Sequence, residues 1–323
     1  MKRIGVFTSG GDSPGMNAAV RAVVRTGLYY GHEVVGIYRG YEGMIDGEMA
    51  LMDRRSVSNI MQQGGTILQS ARSKRFMTTA GRAQAYANLQ AMDVEGIVVI
   101  GGNGSFTGAK VFMEEYPDLR MVGLPGTIDN DLYGTDYTIG YDTAINTAMA
   151  AIDNLRDTAA AHNRLFFVEV MGRDAGFIAL RSGIATGAEG VLIKESDTDK
   201  EQLLQQLKDD FSTITRSGIV VVAEGDESGG AIELSKEIQT LYPELDIRVT
   251  ILGHVQRGGR PTCMERVRAS QLGVEAVRQL RAGKSGIMIG QIGHEFSYTP
   301  FAKAIKHHDR VDPELLEIVK ILA

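Results

Sequence analysis

Short apolar segments alternate with segments of helical periodicity along nearly the whole chain. Continuous runs rich in β-branched residues are typical of strands in a parallel sheet that is covered on both faces. Runs of this kind predict strands at Ile4–Phe7, Val34–Ile37, Ile97–Ile100, Met121–Leu124, Leu165–Val170, Val191–Ile193, Ile219–Ala223, Val249–Leu252 and Ile287–Ile292.

Segments with a helical apolar face lie between these runs. They predict helices at Asn17–Leu28, Thr198–Ile214, Arg266–Leu280 and Pro313–Leu322, the second of which opens with Thr198 and Glu201 at capping-box spacing. Alternating strands and helices predict a doubly wound α/β fold. Because nine strands are many for one open sheet, we expect two α/β domains, with a boundary near residue 140 that no linker marks.

Composition limits the class of protein. The 323 residues are 43% hydrophobic and 23% charged, which is ordinary for a globular protein, and no apolar run approaches the length of a membrane helix. Cys263 is the only cysteine, and the N-terminal sequence lacks the pattern of a signal peptide, so we expect a cytoplasmic protein. A net charge of −6 argues against a nucleic-acid partner.

Glycine-rich turns follow three of the predicted strands. They read TSGGDSPGMNAAVR from Thr8, VVIGGNGSFTGAK from Val98 and GLPGTIDNDLYGTDYTIGYDTA from Gly123. Glycine lets backbone N–H groups approach an anion, and a following helix N-terminus adds free donors. Since ligands bind beyond the carboxyl ends of parallel strands, the three turns are predicted to line one cleft. A single turn of this kind is purely structural about as often as it binds a ligand. The P-loop and dinucleotide fingerprints are both absent.

Arginines and aspartates near these turns are candidates for phosphate chemistry. Phosphate binding favours bidentate donors, and the candidates are Arg72, Arg164, Arg173, Arg248 and Arg257. The usual alternative for an arginine is a solvated surface position. This interpretation is weaker for Arg173 and Arg257, because both stand beside glycines. The spacing of Asp129 and Asp131 suits one base and one carboxylate that faces a metal, although Asp also favours turns.

Together these motifs resemble 6-phosphofructokinases of the bacterial ATP-dependent type. The matching stretches are TSGGDSPGMNAAVRAVVR, IYRGYEG, GGTILQSAR, VVIGGNGS, GLPGTIDNDLYGTDYTIGYDTA, VEVMGRDAG, VVVAEG and VTILGHVQRGG, which run in the family's order to about residue 290. The resemblance implies glycolytic conversion of fructose 6-phosphate and ATP to fructose 1,6-bisphosphate and ADP, with Mg²⁺, in a homotetramer. It implies a larger ATP-binding domain (residues 1–140 plus about 253–303) and a smaller sugar-phosphate domain (141–252 plus about 304–323).

The resemblance also implies site residues. Asp129 would be the base for the sugar 1-hydroxyl, and the transferring phosphoryl would be held by Thr127, Arg173, Arg72 and Gly11. ATP would be bound by Gly11, Tyr41, Arg72, Arg82, Gly102, Asn103, Gly104, Ser105 and Gly108. The sugar phosphate would be bound by Thr127, Asp129, Arg164, Met171, Gly172, Arg173, Glu224, Arg248, His254 and Arg257, with Arg164 and Arg248 coming from a neighbouring subunit. An effector site for ADP or phosphoenolpyruvate would comprise Arg21, Arg25, Arg54, Asn59, Arg156 and Glu189.

Some positions depart from the family pattern. Asn103 stands where the family carries an Mg²⁺-binding aspartate, which leaves Asn103 and Asp131 as the expected metal-site residues. A weaker metal site, an impaired or regulatory paralogue, and a laboratory substitution all remain open. Asn59, Thr213, Thr215 and Arg216 replace residues common in the effector site. Gly104 and Gly126 stand where pyrophosphate-dependent relatives carry aspartate and lysine. The two glycines favour ATP as the phosphoryl donor.

Two other functions also remain open. A relative of NAD kinases or lipid kinases would explain the GGNGS turn, but not VMGRDAG or GHVQRGG. A non-catalytic sensor of phosphorylated metabolites would be consistent with Asn103. Tagatose 6-phosphate is a further possible substrate, because the recognition residues mainly contact the 6-phosphate.

Overall fold

The structure, a computed structural model, describes residues 1–195, 217–225, 229–306 and 311–322. Contacts divide the chain into two compact units. Unit 1 comprises Met1–Ile128, Leu132–Thr143 and Arg257–His308, and unit 2 comprises Asp129–Asp131, Ala144–Gln256 and Asp309–Ala323. The chain therefore passes between the units several times. The predicted helix Thr198–Ile214 and the residues Thr213, Thr215 and Arg216 lie outside the described residues.

The described strands are β1 (Arg3–Thr8), β2 (Glu33–Ile37), β3 (Met49–Met52), β4 (Val94–Gly101), β5 (Arg120–Thr127), β6 (Ile139–Gly140), β7 (Leu165–Val170), β8 (Gly190–Leu192), β9 (Gly218–Ala223), β10 (Ile247–Ile251), β11 (Ile287–Ile292) and β12 (Glu295–Pro300). The described helices are α1 (Met16–Tyr29), α2 (Gly40–Asp46), α3 (Thr79–Ala91), α4 (Asn103–Glu115), α5 (Tyr141–His162), α6 (Phe177–Thr186), α7 (Gly230–Leu241), α8 (Cys263–Arg281), α9 (Phe301–Ala304) and α10 (Pro313–Leu322). Two 3₁₀ helices span Arg75–Met77 and Gly253–Arg257.

Unit 1 contains an eight-stranded sheet in the order β12-β11-β5-β4-β1-β2-β3, with β6 paired to β5. All neighbours are parallel except the edge pairs β2–β3 and β11–β12, which are antiparallel. Along β4, Val98 and Ile100 belong to one core cluster, while Ile97 and Val99 belong to another. Because successive strand residues point to opposite faces, the sheet is buried on both sides.

Helices α1 and α8 pack closely together on one face of this sheet. Their contact includes Gly273, where a Cβ would lie 2.7 Å from the Cβ of Ala22 and 2.8 Å from the carbonyl oxygen of Ala19. Small residues on both helices therefore allow the two backbones to approach. This packing places the start of α1 beside the start of α8, and both ends contribute to the candidate site.

Unit 2 contains a four-stranded parallel sheet in the order β10-β7-β9-β8. Its core includes Leu165 and Phe167 on β7, Val220 and Val222 on β9, and Leu234 on α7. The register is continuous, with Leu165 opposite Gly218 on one side and Ile247 on the other. This register fixes which residues lie at each end of the sheet.

The predicted fold class is confirmed, since both units combine helices with mainly parallel sheets. Each of the nine predicted strands overlaps an observed strand, and the predicted helix Pro313–Leu322 coincides with α10. None of the helices in the described part of the chain is both long and apolar enough to cross a bilayer.

Candidate active site

The first and second glycine turns meet at the carboxyl ends of β1 and β4. We define them as residues 9–15 and residues 101–108. The Ser9 N–H donates to the Ile100 carbonyl at 2.9 Å, and a Cβ at Gly101 would lie 2.6 Å from the Ser9 carbonyl oxygen. Glycine at 101 is therefore required by protein packing, because any side chain would separate the two turns.

A third segment, residues 64–72, packs on the first glycine turn. Ser70 Oγ donates to the Gly10 carbonyl at 2.5 Å, and Thr8 Oγ1 donates to the Gln69 carbonyl at 2.7 Å. These bonds fix the backbone on the N-terminal side of Arg72. The Arg72 side chain itself is exposed, and no hydrogen bond or ion pair joins its guanidinium to another residue of the described chain. Its donors are thus available to an external anion.

Arg257 lies directly over the first glycine turn. A Cβ at Gly11 would overlap the Nη1 atom of Arg257, and Nη1 also lies 3.5 Å from the Asp12 carbonyl oxygen. Glycine at 11 therefore makes room for a guanidinium. Since this long contact with Asp12 is the only hydrogen bond recorded for Arg257 within the described residues, most of its donors remain available to a ligand. Residues 246 positions apart thus meet at one candidate anion site in unit 1.

Gly104 differs from the other glycines of the second turn. A Cβ there would have no heavy atom of the described chain within 4 Å. The protein itself therefore gives no steric reason for glycine at this position. Gly104 lies in the first turn of α4, whose cap residue Gly102 offers no side-chain hydrogen bond. Free N–H groups at such a helix end bind anions. The open space above Gly104 fits a bound ligand.

Gly126 is crowded by comparison. A Cβ at this position would lie 2.9 Å from Met16 Cε, 3.0 Å from Ile100 Cγ2 and 3.1 Å from the Gly101 nitrogen. The lysine of pyrophosphate-dependent relatives could not enter here unless the neighbouring residues moved. The packing around Gly126 is therefore consistent with the ATP-type pattern of the sequence.

Tyr41 and Arg82, both named in the ATP-binding set, have their polar groups occupied inside unit 1. The Tyr41 hydroxyl donates to the Ser105 carbonyl at 2.6 Å, its ring stacks on Phe76 at 3.9 Å, and burial raises its pKa. Arg82 forms two 2.6 Å hydrogen bonds to Glu115. The Tyr41 ring also contacts Gly108. Tyr41 therefore supports the second glycine turn from the core, whereas Arg82 is tied to Glu115 at the far end of α4.

Thr127 ends β5 and begins the turn that carries the candidate base. The Thr138 hydroxyl donates to the Thr127 carbonyl at 2.6 Å, which fixes the end of the strand. Asp129 and Asp131 are buried, with 7% and 5% exposure, and Asn130 between them has a left-handed φ of 55°. Asn tolerates this conformation better than most residues. The turn thus places two buried carboxyl groups directly after β5.

In unit 2, a second group of candidates lies at the carboxyl end of the sheet. Arg173 follows β7 with a left-handed φ of 55°, and its N–H donates to Glu224 Oε2 at 3.3 Å. Glu224 follows the adjacent strand β9. Met171 and Gly172 belong to the same turn, whereas His254 lies in the 3₁₀ helix Gly253–Arg257. The Arg173 side chain is exposed.

Arg164 and Arg248 lie at the other end of the unit 2 sheet. Arg164 directly precedes β7, so β7 separates it from Arg173. Asp246 holds both arginines, with Arg164 Nε at 2.9 Å and Arg248 Nη1 at 2.5 Å. The hydrogen bond from Arg164, together with the charges of Arg248 and His162, lowers the pKa of Asp246. Sequence reasoning missed Asp246, because its position between the arginines follows from the pairing of β7 with β10.

The predicted effector residues fall into both units. Arg25 Nη2 donates to the Arg54 carbonyl at 3.1 Å in unit 1, where Arg21 lies on the same helix as Arg25 and Asn59 adopts a φ of 56°. In unit 2, Arg156 pairs with Glu189 at 3.0 Å.

Arg156 has a structural contact besides this ion pair. Its Nη2 atom donates to the carbonyls of Thr186 and Gly187 at 2.9 and 2.7 Å. Arg156 therefore also caps the C-terminus of α6.

The expected metal-site residues supply oxygen atoms only. No group of three or more His, Cys, Asp or Glu side chains within the described ranges is arranged to hold a metal ion. Mg²⁺ commonly takes one or two protein carboxylates and completes its shell with water and substrate phosphate oxygens. The buried carboxylate of Asp131 and the amide oxygen of Asn103 fit this chemistry, with one charge fewer than an Asp–Asp pair would carry.

Comparisons with known proteins agree with this arrangement. A sequence profile described as phosphofructokinase matches residues 3–280. ATP-dependent 6-phosphofructokinase 1 of Thermus thermophilus is 54% identical over 323 residues, covering 100% of both chains. ATP-dependent 6-phosphofructokinase 2 of Bacteroides thetaiotaomicron is 51% identical over 323 residues, covering 100% of this chain and 99% of the relative.

Solved structures give the same result. The phosphofructokinase of Saccharomyces cerevisiae has a TM-score of 0.89 and 38% identity, covering 95% of this chain and 45% of that longer chain. A pyrophosphate-dependent phosphofructokinase from Marinobacter aquaeolei shares the fold with a TM-score of 0.85 at 19% identity, covering 100% of this chain and 91% of that chain. The resemblance inferred from the sequence motifs is thereby confirmed, and the chain belongs to the phosphofructokinase family.

Proposed function

We propose that this chain transfers the terminal phosphoryl group of ATP to the 1-hydroxyl of fructose 6-phosphate, giving fructose 1,6-bisphosphate and ADP. The observation that carries the proposal is the placement of the Arg257 guanidinium over Gly11, in a turn that packs on the second glycine turn, where the N-terminus of α4 is open at Gly104. Relatives about 50% identical over the whole chain and named ATP-dependent 6-phosphofructokinases support the choice of substrates. The alternative of an impaired paralogue has no support beyond Asn103.

The first and second glycine turns form the ATP side of the proposed site. Their backbone N–H groups and the N-terminus of α4 would face the phosphates, with the space above Gly104 taken by the nucleotide. Arg72 would add a positive charge between donor and acceptor. Fixed donors aimed at the oxygens where negative charge develops provide most of the rate gain in phosphoryl transfer.

The sugar side uses Asp129, Thr127 and Arg173. The proposed role of Asp129 is to accept the proton of the 1-hydroxyl as its oxygen attacks the γ-phosphorus and the bond to the leaving ADP oxygen breaks. Thr127 and Arg173 would stabilise the transferring group, and the other residues of the sugar-phosphate set would bind the 6-phosphate. The proton remains on Asp129 until solvent removes it.

Mg²⁺ would neutralise charge on the ATP phosphates, held by Asn103 and Asp131 directly or through water. Because Asn103 contributes a neutral oxygen in place of a carboxylate, the expected consequence is a requirement for a higher Mg²⁺ concentration. The base and the phosphate-binding arginines are unchanged by this substitution.

We extend the proposal to assembly and regulation. Unit 1 would bind ATP and unit 2 would carry most of the sugar-phosphate residues, in a homotetramer in which Arg164 and Arg248 act in the site of a neighbouring copy. ADP or phosphoenolpyruvate would bind at Arg21, Arg25, Arg54, Asn59, Arg156 and Glu189. The capping role of Arg156 would then have to be exchanged for a ligand contact.

The test is a steady-state assay with ATP and fructose 6-phosphate over a range of Mg²⁺ concentrations, comparing the wild type with Asn103→Asp. We expect turnover by both proteins and a lower Mg²⁺ requirement for the variant. Tight binding of both substrates without turnover at any Mg²⁺ concentration would instead indicate a sensor. Parallel reactions with NAD and diacylglycerol, which should remain unmodified, would exclude the related kinase activities.

A further inference from the structure

Glu265 is a buried carboxyl group in the first turn of α8 that the proposed reaction does not use. Only 3% of the surface of Glu265 is exposed. The Glu265 N–H donates to the Thr262 hydroxyl at 3.1 Å, as expected for a helix cap. The spacing of the two residues also suits a capping box. However, the Thr262 N–H donates to Thr143 Oγ1 at 3.3 Å, so the Glu265 carboxylate is directed elsewhere.

The Glu265 carboxylate accepts hydrogen bonds from the start of α5. Its Oε2 atom lies 3.2 Å from the Thr143 nitrogen and 3.3 Å from Thr143 Oγ1, and the Gly140 N–H also donates to the carboxylate. The first N–H groups of a helix lack partners within the helix, and the helix dipole favours a negative charge there. Glu265 therefore caps α5 from the neighbouring helix α8.

The same side chain packs against the first glycine turn. Gly15 has a left-handed φ of 104°, and a Cβ there would lie 2.8 Å from Glu265 Cγ and 3.0 Å from Ile139 Cγ2. Ser13 Oγ donates to the Ile139 carbonyl at 2.7 Å. The turn is thus held on β6 and on Glu265 together, and no side chain larger than hydrogen fits at position 15 without displacing them.

The segment from Arg257 to Glu265 consequently contacts the first glycine turn at both of its ends. Arg257 lies over Gly11, and Glu265 lies against Gly15. We propose, resting on the function proposed above, that Glu265 is a positioning residue whose carboxylate holds this segment on the turn, so that Arg257 stands over Gly11 to bind the sugar phosphate. Glu265 does not contact substrate in this proposal; it acts through Arg257.

The charge of Glu265 determines how firmly its carboxylate holds the segment from Arg257 to Glu265 on the first glycine turn. Burial raises the pKa of Glu265 to about 7, against the lowering effect of the Gly140 and Thr143 N–H groups, and Asp142 on α5 raises it further. The backbone N–H groups of Gly140 and Thr143 can only donate, whereas the Thr143 hydroxyl can also accept. Protonation of the carboxylate therefore either displaces a bond from one of the N–H groups or forces the Thr143 hydroxyl to reverse from donor to acceptor, and both changes weaken the contact. The positioning is therefore nearly complete at pH 8, is half lost near pH 7 and weakens further as the pH falls.

The experiment compares the wild type with Glu265→Gln and with the control Glu275→Gln. Glu275 is also a buried carboxyl group of α8, but it bonds to Gln279 and Tyr298, at 2.6 and 2.9 Å, instead of to the turn. KM, kcat and the calorimetric dissociation constant for fructose 6-phosphate are measured from pH 6 to 8.5. The ligand's own phosphate titrates near pH 6, and a titration of the free ligand corrects for this.

We expect Glu265→Gln to raise KM and the dissociation constant for fructose 6-phosphate about tenfold at pH 8, with a smaller change in kcat. The wild type and Glu275→Gln should both lose affinity below pH 7, whereas Glu265→Gln should show no step there. Glu265→Asp, which keeps the carboxylate, should recover part of the affinity.

A wild type whose affinity, corrected for the ligand, is constant from pH 6 to 8.5 would overturn the proposal. Equal pH profiles for Glu265→Gln and Glu275→Gln would do the same. Binding without turnover in the wild type would refute the proposed reaction alone, since the binding data would still decide the role of Glu265. The wild-type profile also decides the matter if Glu265→Gln does not fold.

Discussion

Gly101 and Gly104 lie three residues apart in the second glycine turn, yet they are glycine for different reasons. A Cβ at Gly101 would meet the Ser9 carbonyl oxygen at 2.6 Å, whereas a Cβ at Gly104 would meet nothing within 4 Å among the described residues. The packing of the protein requires the first glycine. No packing contact among the described residues requires the second, although alanine is the better residue within a helix, and this agrees with the nucleotide contact proposed for Gly104.

We predict that Gly104→Ala keeps or slightly increases stability, by up to about 1 kcal/mol, and raises KM for ATP about tenfold. The added methyl group would occupy space that the nucleotide needs. Thermal unfolding and steady-state kinetics measure the two effects separately. Gly101→Ala is the contrasting variant and should lose stability. An unchanged KM for ATP in Gly104→Ala would show that the space above this residue is not part of the nucleotide site.

Arg257→Ala should raise KM for fructose 6-phosphate about 10- to 100-fold, the equivalent of one hydrogen-bonded charged contact, with a smaller effect on kcat. The reason is that Arg257 has only a 3.5 Å hydrogen bond within the described protein, so most of its donors are available to a ligand. Arg260→Ala, an exposed arginine three residues further on, is the control and should behave like the wild type. Arg257→Ala with an unaltered KM would remove Arg257 from the site.

Glu265 also has a consequence for stability. The pKa of Glu265 is about 7 in the folded protein, against a reference value of 4.5. Between pH 4.5 and 7 the folded state therefore binds more protons than the unfolded state, and the free energy of unfolding falls as the pH rises. From pH 5.5 to 8 the loss should be about 2 kcal/mol. Denaturant unfolding should show this slope in the wild type and not in Glu265→Gln. Equal slopes in both would mean that the folded-state pKa is not raised.

At the scale of elements, the pairing of β7 with β10 brings Arg164, Asp246 and Arg248 together. This ion-pair group is partly exposed, so its contribution to stability is small. It does hold two long side chains in fixed orientations. Ordering such side chains costs about 0.5–1.5 kcal/mol each when a ligand must do it.

We therefore predict that Asp246→Ala raises KM for fructose 6-phosphate about fivefold with little change in kcat. The effect stays moderate because removal of a negative charge partly offsets the loss of order. Asp246→Asn, which can still accept hydrogen bonds, should change KM less. Glu233→Ala removes an exposed partner of Lys236 and serves as the control. A lower KM in Asp246→Ala would show that Asp246 competes with the phosphate instead of positioning the arginines.

The elements also show what the sequence could predict. Buried parallel strands such as β4 and β7 are continuous apolar runs, which is why they were recognised. The edge strands β3 and β12 are antiparallel and half exposed, with burial that alternates or is partial, and neither was predicted. Strand β6 has only two residues. Helices α3 and α4 were missed too, since alanine and glycine weaken their apolar periodicity.

In the candidate site, too, residues with a distinctive local pattern could be predicted and the others could not. Glycine turns and arginines beside them, such as Gly11 and Arg257, were identified because the residue types are unusual at strand ends. Asp246 and Glu265 were not identified. Each depends on a neighbour more than 80 residues away, through strand register for Asp246 and helix packing for Glu265. No local pattern records such contacts.

At the scale of the whole molecule, the proposed sugar-phosphate residues of unit 2 lie at two ends of one sheet. Arg164 precedes β7 and Arg173 follows it. A strand of six residues is about 20 Å long, which one phosphate group cannot bridge. Within one copy of the chain, these two arginines therefore cannot bind the same phosphate. The proposed homotetramer, in which Arg164 acts on a neighbouring copy, accommodates both.

The central claim is that the chain moves the γ-phosphoryl of ATP to the 1-hydroxyl of fructose 6-phosphate, with Asp129 as the base. The most direct measurement is to incubate γ-³²P-ATP with fructose 6-phosphate and Mg²⁺ and to locate the label in the products, for the wild type and for Asp129→Asn. The predicted result is label at the 1-position of fructose 1,6-bisphosphate, with a rate at least a hundredfold lower in the variant. Label found only in inorganic phosphate, or an equal rate in Asp129→Asn, would contradict the account.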